Sequence, residues 1–113
     1  MGAEAIPVVQ IVGYKNAGKT HLVCRLIERL TALGYKVGTV KRDAHDFDID
    51  HEGRDTWRHR QAGAHAVAIT SVEQTAWIER SPSTLQALLG RMTEAGVDVV
   101  LAEGFKTDDY PKI

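Results

Sequence analysis

Residues 13–20 carry the most specific chemistry in this chain. Gly13, Tyr14, Lys15, Asn16, Ala17, Gly18, Lys19 and Thr20 spell glycine, four residues, glycine, lysine, threonine. The two glycines permit backbone angles that a side chain would obstruct, so successive N–H groups turn inward toward phosphate oxygens. Lys19 is placed to reach the β- and γ-phosphates of a nucleotide, and the Thr20 hydroxyl to ligate a magnesium ion shared with them. A short apolar run at residues 8–12 precedes the pattern and a helical periodicity follows it. That strand-to-helix setting gives the string its meaning, because the helix N-terminus adds partial positive charge where phosphates would sit.

A magnesium nucleotide site also draws on a carboxylate at a neighbouring strand end. The last apolar run, residues 97–103, reads as a strand that Asp98 begins and Glu103 ends. At about 3.3 Å per residue the two lie roughly 16 Å apart, so only one faces the site. Ligands of parallel α/β sheets bind at the carboxyl ends of the strands, which selects Glu103 and leaves Asp98 as a cap or surface charge.

Residues 42–53, RDAHDFDIDHEG, form a second constellation. Asp46, Asp48 and Asp50 alternate, but a calcium loop of the EF-hand kind beginning at Asp46 requires glycine at 51 and glutamate at 57, where His51 and Trp57 stand. No spacing of His45, His51 and the carboxylates matches a tetrahedral zinc site, and Cys24 is remote. Two readings remain: an acidic solvated loop, or a switch loop leaving the second strand beside the phosphate loop. Arg54, Arg58 and Arg60 follow, either as an anion clamp or as a charged helix face.

The elements that position these residues alternate. A strand at 8–12 leads into a helix at 18–33 with Leu22, Leu26 and Leu30 at four-residue spacing and Val23 and Ile27 beside them, ended by Gly34. A strand at 36–41, the polar loop, a short helix at 54–62 ended by Gly63, and two strands at 66–70 and 74–79 joined by a turn come next. Ser81-Pro82-Ser83 is expected to open another helix, with Pro82 at its first position and Leu85, Leu88, Leu89 and Met92 as its buried stripe before Gly96. The order predicts one α/β domain over residues 1–113, a mostly parallel sheet flanked by helices in three layers, as in phosphate-loop nucleotide-binding proteins.

Composition narrows the partners. With 113 residues, 43% of them hydrophobic, the chain is long enough for a real core, and a formal net charge of −1 argues against a nucleic-acid backbone as main partner. No apolar run approaches the length that spans a bilayer, and the N-terminus lacks a signal peptide's order of charge and apolarity, so no membrane partner and a cytoplasmic location are expected. The lone Cys24 fits a reducing compartment and reads as a packing residue.

Taken together, residues 13–20, the segment TVKRDAHDFDIDHEGRDTWRHRQAGA from Thr39 to Ala64, and DVVLAEGFK from Asp98 to Lys106 resemble the molybdopterin-guanine dinucleotide biosynthesis adaptor family, MobB. The middle segment is the specific part: Lys41, His45, the run Phe47-Asp48-Ile49-Asp50, Gly53 with Asp55, and Ala62-Gly63-Ala64. The family's Glu-Gly-Phe-Lys falls on Glu103, Gly104, Phe105 and Lys106. The resemblance implies a GTP- and magnesium-binding adaptor that assists a molybdopterin guanylyltransferase in attaching GMP to molybdopterin. It also implies contact with molybdopterin or its guanine dinucleotide, a homodimer, and at most slow GTP hydrolysis. Lys41, His45, Asp48, Asp50, Arg54 and Asp55 are then candidates for a second site or switch loop; no catalytic residue is assigned.

The chain departs from the family pattern in two places. Histidines usually follow the family's lysine directly, whereas Arg42, Asp43 and Ala44 precede His45 here, so only His45 carries over. Family members also continue well past Glu-Gly-Phe-Lys, while this chain stops at Ile113 just as YPKI begins another strand. Guanine selectivity by an Asn-Lys-x-Asp motif is absent, since Asn16 is the sole asparagine. Two other classes compete. A small phosphate-loop kinase requires an arginine-rich lid, for which the 54–60 helix is too short. A partitioning or maturation ATPase requires a lysine five residues before Lys19, where Tyr14 stands and Lys15 is one place off.

Overall fold

The computed structural model describes residues 6–13, 18–43, 52–105 and 107–113. They fall into two compact units, residues 1–44 with 83–113 and residues 45–82.

In the first unit three short strands form a parallel sheet in the order β1 (Val8–Ile11), β5 (Val99–Glu103), β2 (Val37–Lys41). The central strand pairs Val8 with Val100 and Ile11 with Glu103 on one side, and Val37 with Val99 and Lys41 with Glu103 on the other. All three strands therefore end at one level. The central strand is the most apolar, as a strand covered on both faces must be. The C-terminal residues add to the far side of β1: Gln10 N–H donates to the Pro111 carbonyl at 2.7 Å, Ile113 N–H to the Gln10 carbonyl at 2.8 Å, and Lys112 bridges Gln10 in parallel sense. At YPKI, where a strand is expected to begin, the described residues form an isolated parallel bridge to β1.

Side chains alternate between the two faces with the period of a strand. Val8, Val40, Val100 and Ala102 pack with Leu85 and Leu89 of α3 (Leu85–Glu94), while Ile11 and Leu101 pack with Val23 of α1 (Lys19–Ala32). Two apolar layers on opposite sheet faces give the three-layer α/β arrangement. Gly38 lets α3 come close to β2, since a Cβ there would lie 2.6 Å from the Met92 sulfur and 3.0 Å from Val97. All described helices end alike: the N–H groups of Gly34, Gly63 and Gly96 bond to Thr31, Arg60 and Thr93, and the next residue's N–H reaches one carbonyl further back. Glycine at positive φ makes this reversal possible.

The second unit holds α2 (Asp55–Gln61) and an antiparallel hairpin, β3 (Ala66–Thr70) with β4 (Thr75–Glu79), which forms its own two-stranded sheet. Ser71 closes the turn, accepting from the N–H groups of Glu73 and Gln74 at 3.3 Å each, and the Arg80 guanidinium donates to the Arg60 carbonyl. Of the hairpin's side chains only Val67 is buried.

Three expectations need correction. Pro82 is not the first residue of α3: Thr84 caps the helix, its hydroxyl accepting the Ala87 N–H at 3.1 Å, so the capping hydroxyl outcompetes the proline as the start signal. Cys24 is exposed rather than packed, because the buried stripe of α1 runs through Val23, Leu26, Ile27 and Leu30. Asp98 lies one residue before β5 rather than opening it, and its carboxylate accepts the Lys36 N–H at 2.8 Å.

Candidate functional site

The site grows from the turn between β1 and α1. β1 delivers Gly13 to the carboxyl edge of the sheet with φ +148°, and Gly18 begins α1 in the left-handed region at φ +81°. A residue with a Cβ is strained at either angle. Gly18 brings no side chain to cap the helix, and the first turn of α1 contains no acidic residue. The leading N–H groups of α1 thus lack the usual side-chain acceptor, and the helix dipole makes them suited to an anion. The stem of Lys19 folds back over the turn: its Cδ and Cγ lie 3.7 and 3.8 Å from where a Cβ of Gly13 would stand. The loop's two ends are therefore spanned by the lysine. Thr20 follows on an exposed face of the first turn. Tyr14, Lys15, Asn16 and Ala17 lie outside the described residues.

Glu103 ends the strand beside β1, in register with Ile11. Its side chain is only 13% exposed, and Lys41 Nζ stands 3.9 Å from Oε2 and 3.7 Å from Asp43 Oδ1. Its backbone carbonyl accepts the Arg42 N–H at 3.1 Å. The chain then reverses through Gly104 at φ +82° and Phe105 at φ +53°. Sheet register thus brings Glu103 and Lys41 together at the edge from which Gly13 departs. The hydroxyl of Thr20 and the carboxylate of Glu103 are hard oxygen donors of the kind magnesium takes, and few protein ligands suffice for an ion that keeps several waters. Among the described residues no group of three or more His, Cys, Asp and Glu side chains is assembled to hold a metal by itself.

Two of the remaining candidates belong to the second unit, and three are not described. Arg54 is the N-cap of α2 and Asp55 its first residue, both in the second unit. His45, Asp48 and Asp50 lie outside the described residues.

One residue escaped the motif reading. Gln10 is wholly buried in β1, donating from Nε2 to the Phe105 carbonyl at 2.7 Å and accepting the Tyr110 N–H on Oε1 at 3.0 Å. Its signal was there to be read: a lone amide inside Val-Val-Gln-Ile-Val has to find partners or leave the core.

The sequence matches the family described as molybdopterin guanine dinucleotide synthesis protein B over residues 8–113. This chain belongs to the MobB family. It is 36% identical over 110 residues to the molybdopterin-guanine dinucleotide biosynthesis adapter protein of Haemophilus influenzae, covering 96% of this chain and 62% of that protein. The adapter protein of Escherichia coli is 34% identical over 116 residues, covering 99% and 66%. A crystal structure of Bacillus subtilis MobB superposes with a TM-score of 0.82 at 32% identity, covering 95% of this chain and 66% of that one. The chain spans somewhat under two thirds of the length of these MobB relatives, and the matched part includes both the β1–α1 turn and the Glu103 strand end. No described helix is long and apolar enough to cross a membrane.

Proposed function

We propose that this chain binds GTP with magnesium at the β1–α1 turn and serves as an adaptor in molybdenum cofactor biosynthesis. In this reading a partner guanylyltransferase attaches GMP to molybdopterin, and the adaptor presents the nucleotide, or molybdopterin, to it and contacts molybdopterin or its guanine dinucleotide. The observation that carries the nucleotide part is the uncapped start of α1, with Lys19 folded back to Gly13 beside the carboxyl end of the Glu103 strand. The names borne by the relatives supply the adaptor part.

The described residues divide the work simply. The N–H groups of α1 and the Lys19 ammonium hold phosphate oxygens; Thr20 and Glu103 hold magnesium, which neutralises phosphate charge. Lys41, His45, Asp48, Asp50, Arg54 and Asp55 are proposed as the border of a second site or switch loop. The protein works as a homodimer in the cytoplasm, and nucleotidyl transfer belongs to the partner.

The test is reconstitution. A molybdopterin guanylyltransferase loaded with molybdopterin is assayed for dinucleotide formation with GTP, with and without this chain, and GTP and ATP binding to the chain are compared by calorimetry. Stimulation that is lost in Lys19→Ala supports the reading; a chain that binds neither nucleotide overturns it.

A further inference from the structure

We propose that Gln10 is a positioning residue for the Glu103 carboxylate, a role that rests on the nucleotide and magnesium reading above. The amide ties three pieces of chain to one buried point. Nε2 donates to the Phe105 carbonyl at 2.7 Å and, at the long limit of 3.5 Å, to the Gly104 carbonyl. Oε1 accepts the Tyr110 N–H at 3.0 Å. The backbone of the same residue pairs with Pro111 and Ile113. Gln10 is fully enclosed and its bond to Phe105 is buried, so that bond forms where water competes little and where an unmet partner would be costly.

The turn it grips directly follows Glu103. Gly104 takes a left-handed conformation with no room for a side chain, since a Cβ would lie 2.9 Å from the Arg42 carbonyl oxygen. Phe105 is the one described residue other than glycine at positive φ, and its ring is buried against the α3 face of the sheet. A bulky side chain in that conformation has to be held there by its surroundings. Ring burial fixes the side chain, and the Gln10 amide fixes the peptide that follows. Together they set the direction in which the chain leaves Glu103, and so the placement of its carboxylate at the sheet edge. A valine or leucine at position 10 would fill the core without donating to either carbonyl, so the amide selects this turn over others.

The experiment titrates Mn2+, followed by its electron paramagnetic resonance, into the chain with GTP present. The variants are Gln10→Met, which keeps size and removes the amide's hydrogen bonds, Glu103→Gln, and the double variant. Where Gln10→Met does not fold, Gln10→Asn replaces it, retaining an amide too short to reach Phe105. Outer partners of metal ligands typically change affinity 10- to 100-fold, so Gln10→Met is expected to weaken Mn2+ binding about tenfold. Metal-free GTP affinity should be unchanged, and the substitution should add nothing in the Glu103→Gln background. Unchanged Mn2+ affinity, or an equal loss with and without Glu103, overturns the role of Gln10. A parent chain that binds no Mn2+ with GTP overturns instead the site reading on which it rests.

Discussion

Lys41 and Glu103 end adjacent parallel strands at one register level, with Nζ and Oε2 3.9 Å apart. The contact is loose, and the Lys41 side chain is 62% exposed and shared with Asp43. Such a pair contributes at most about 1 kcal/mol. A divalent ion carrying more charge displaces the ammonium from the carboxylate at little cost. Lys41→Met should therefore leave the urea unfolding free energy within about 1 kcal/mol of the parent. It should also tighten Mn2+ binding in the absence of nucleotide, because a competing cation is gone. A larger stability loss, or weaker metal binding, would show that Lys41 does more than neighbour the site.

Phosphate binding gives the second prediction. Lys19 supplies the only side-chain ammonium within the 13–20 pattern apart from Lys15, and its stem already lies across Gly13. Removing one member of a desolvated charged pair costs about 2–5 kcal/mol. Lys19→Ala is thus expected to weaken GTP binding by roughly 30-fold or more, read by calorimetry. Equal affinity in parent and variant would mean that the phosphates sit elsewhere.

The Glu103 strand end also fixes a stability contrast between two glycines. Gly104 has φ +82°, and a Cβ there would meet the Arg42 carbonyl oxygen at 2.9 Å, a backbone atom unable to step aside. Gly90 sits within α3, exposed, with open space where its Cβ would be. Gly104→Ala should cost about 2–4 kcal/mol from angle and contact together. Gly90→Ala should stabilise by about 0.5–1 kcal/mol, since alanine loses less backbone freedom in a helix. Chemical denaturation of both variants checks the opposite signs.

Hydrolysis by the chain alone should be slow, below about 10⁻² per second, as for phosphate-loop proteins that lack a supplied arginine and a water-positioning group. Among the described residues Arg54 is the candidate arginine, and it caps α2 in the second unit. Phosphate release measured without a partner gives the number. Rapid turnover would point to a self-sufficient NTPase and away from an adaptor.

How much of this was open to reading from sequence depends on where the information lies. Strand ends, helix faces and glycine stops are local: Gly34, Gly63 and Gly96 end their helices where the sequence puts them. Strand polarity chose Glu103 over Asp98 for the carboxyl edge, and Asp98 proves to be committed to the Lys36 N–H. What the sequence obscured were competitions between neighbouring signals, as with Pro82 and Thr84. It also obscured relations between distant residues: Gln10 and Phe105 are 95 positions apart, and no local pattern connects them. Whether the β3–β4 hairpin joins the parallel sheet is likewise a non-local matter, and among the described residues it pairs only with itself.

That hairpin leads to the last prediction. Ile69 is 57% exposed and Trp77 54%, so Trp77 is no core residue, although its indole N–H reaches the Glu79 carboxylate at 3.3 Å. Ile69, Ala76 and Trp77 help line an open cavity of about 470 Å³ between the hairpin and the start of α2. Paired strands with so much apolar surface in water, and outer edges without a partner strand in their own sheet, favour association over solvation. An isologous contact between two copies would cover both hairpins at once and place two phosphate loops in one assembly. Light scattering at micromolar concentration should give the mass of a dimer for the parent chain and of a monomer for Trp77→Ser. A monomeric parent would remove the dimer from the proposed function, and a dimeric variant would move the interface away from the hairpin.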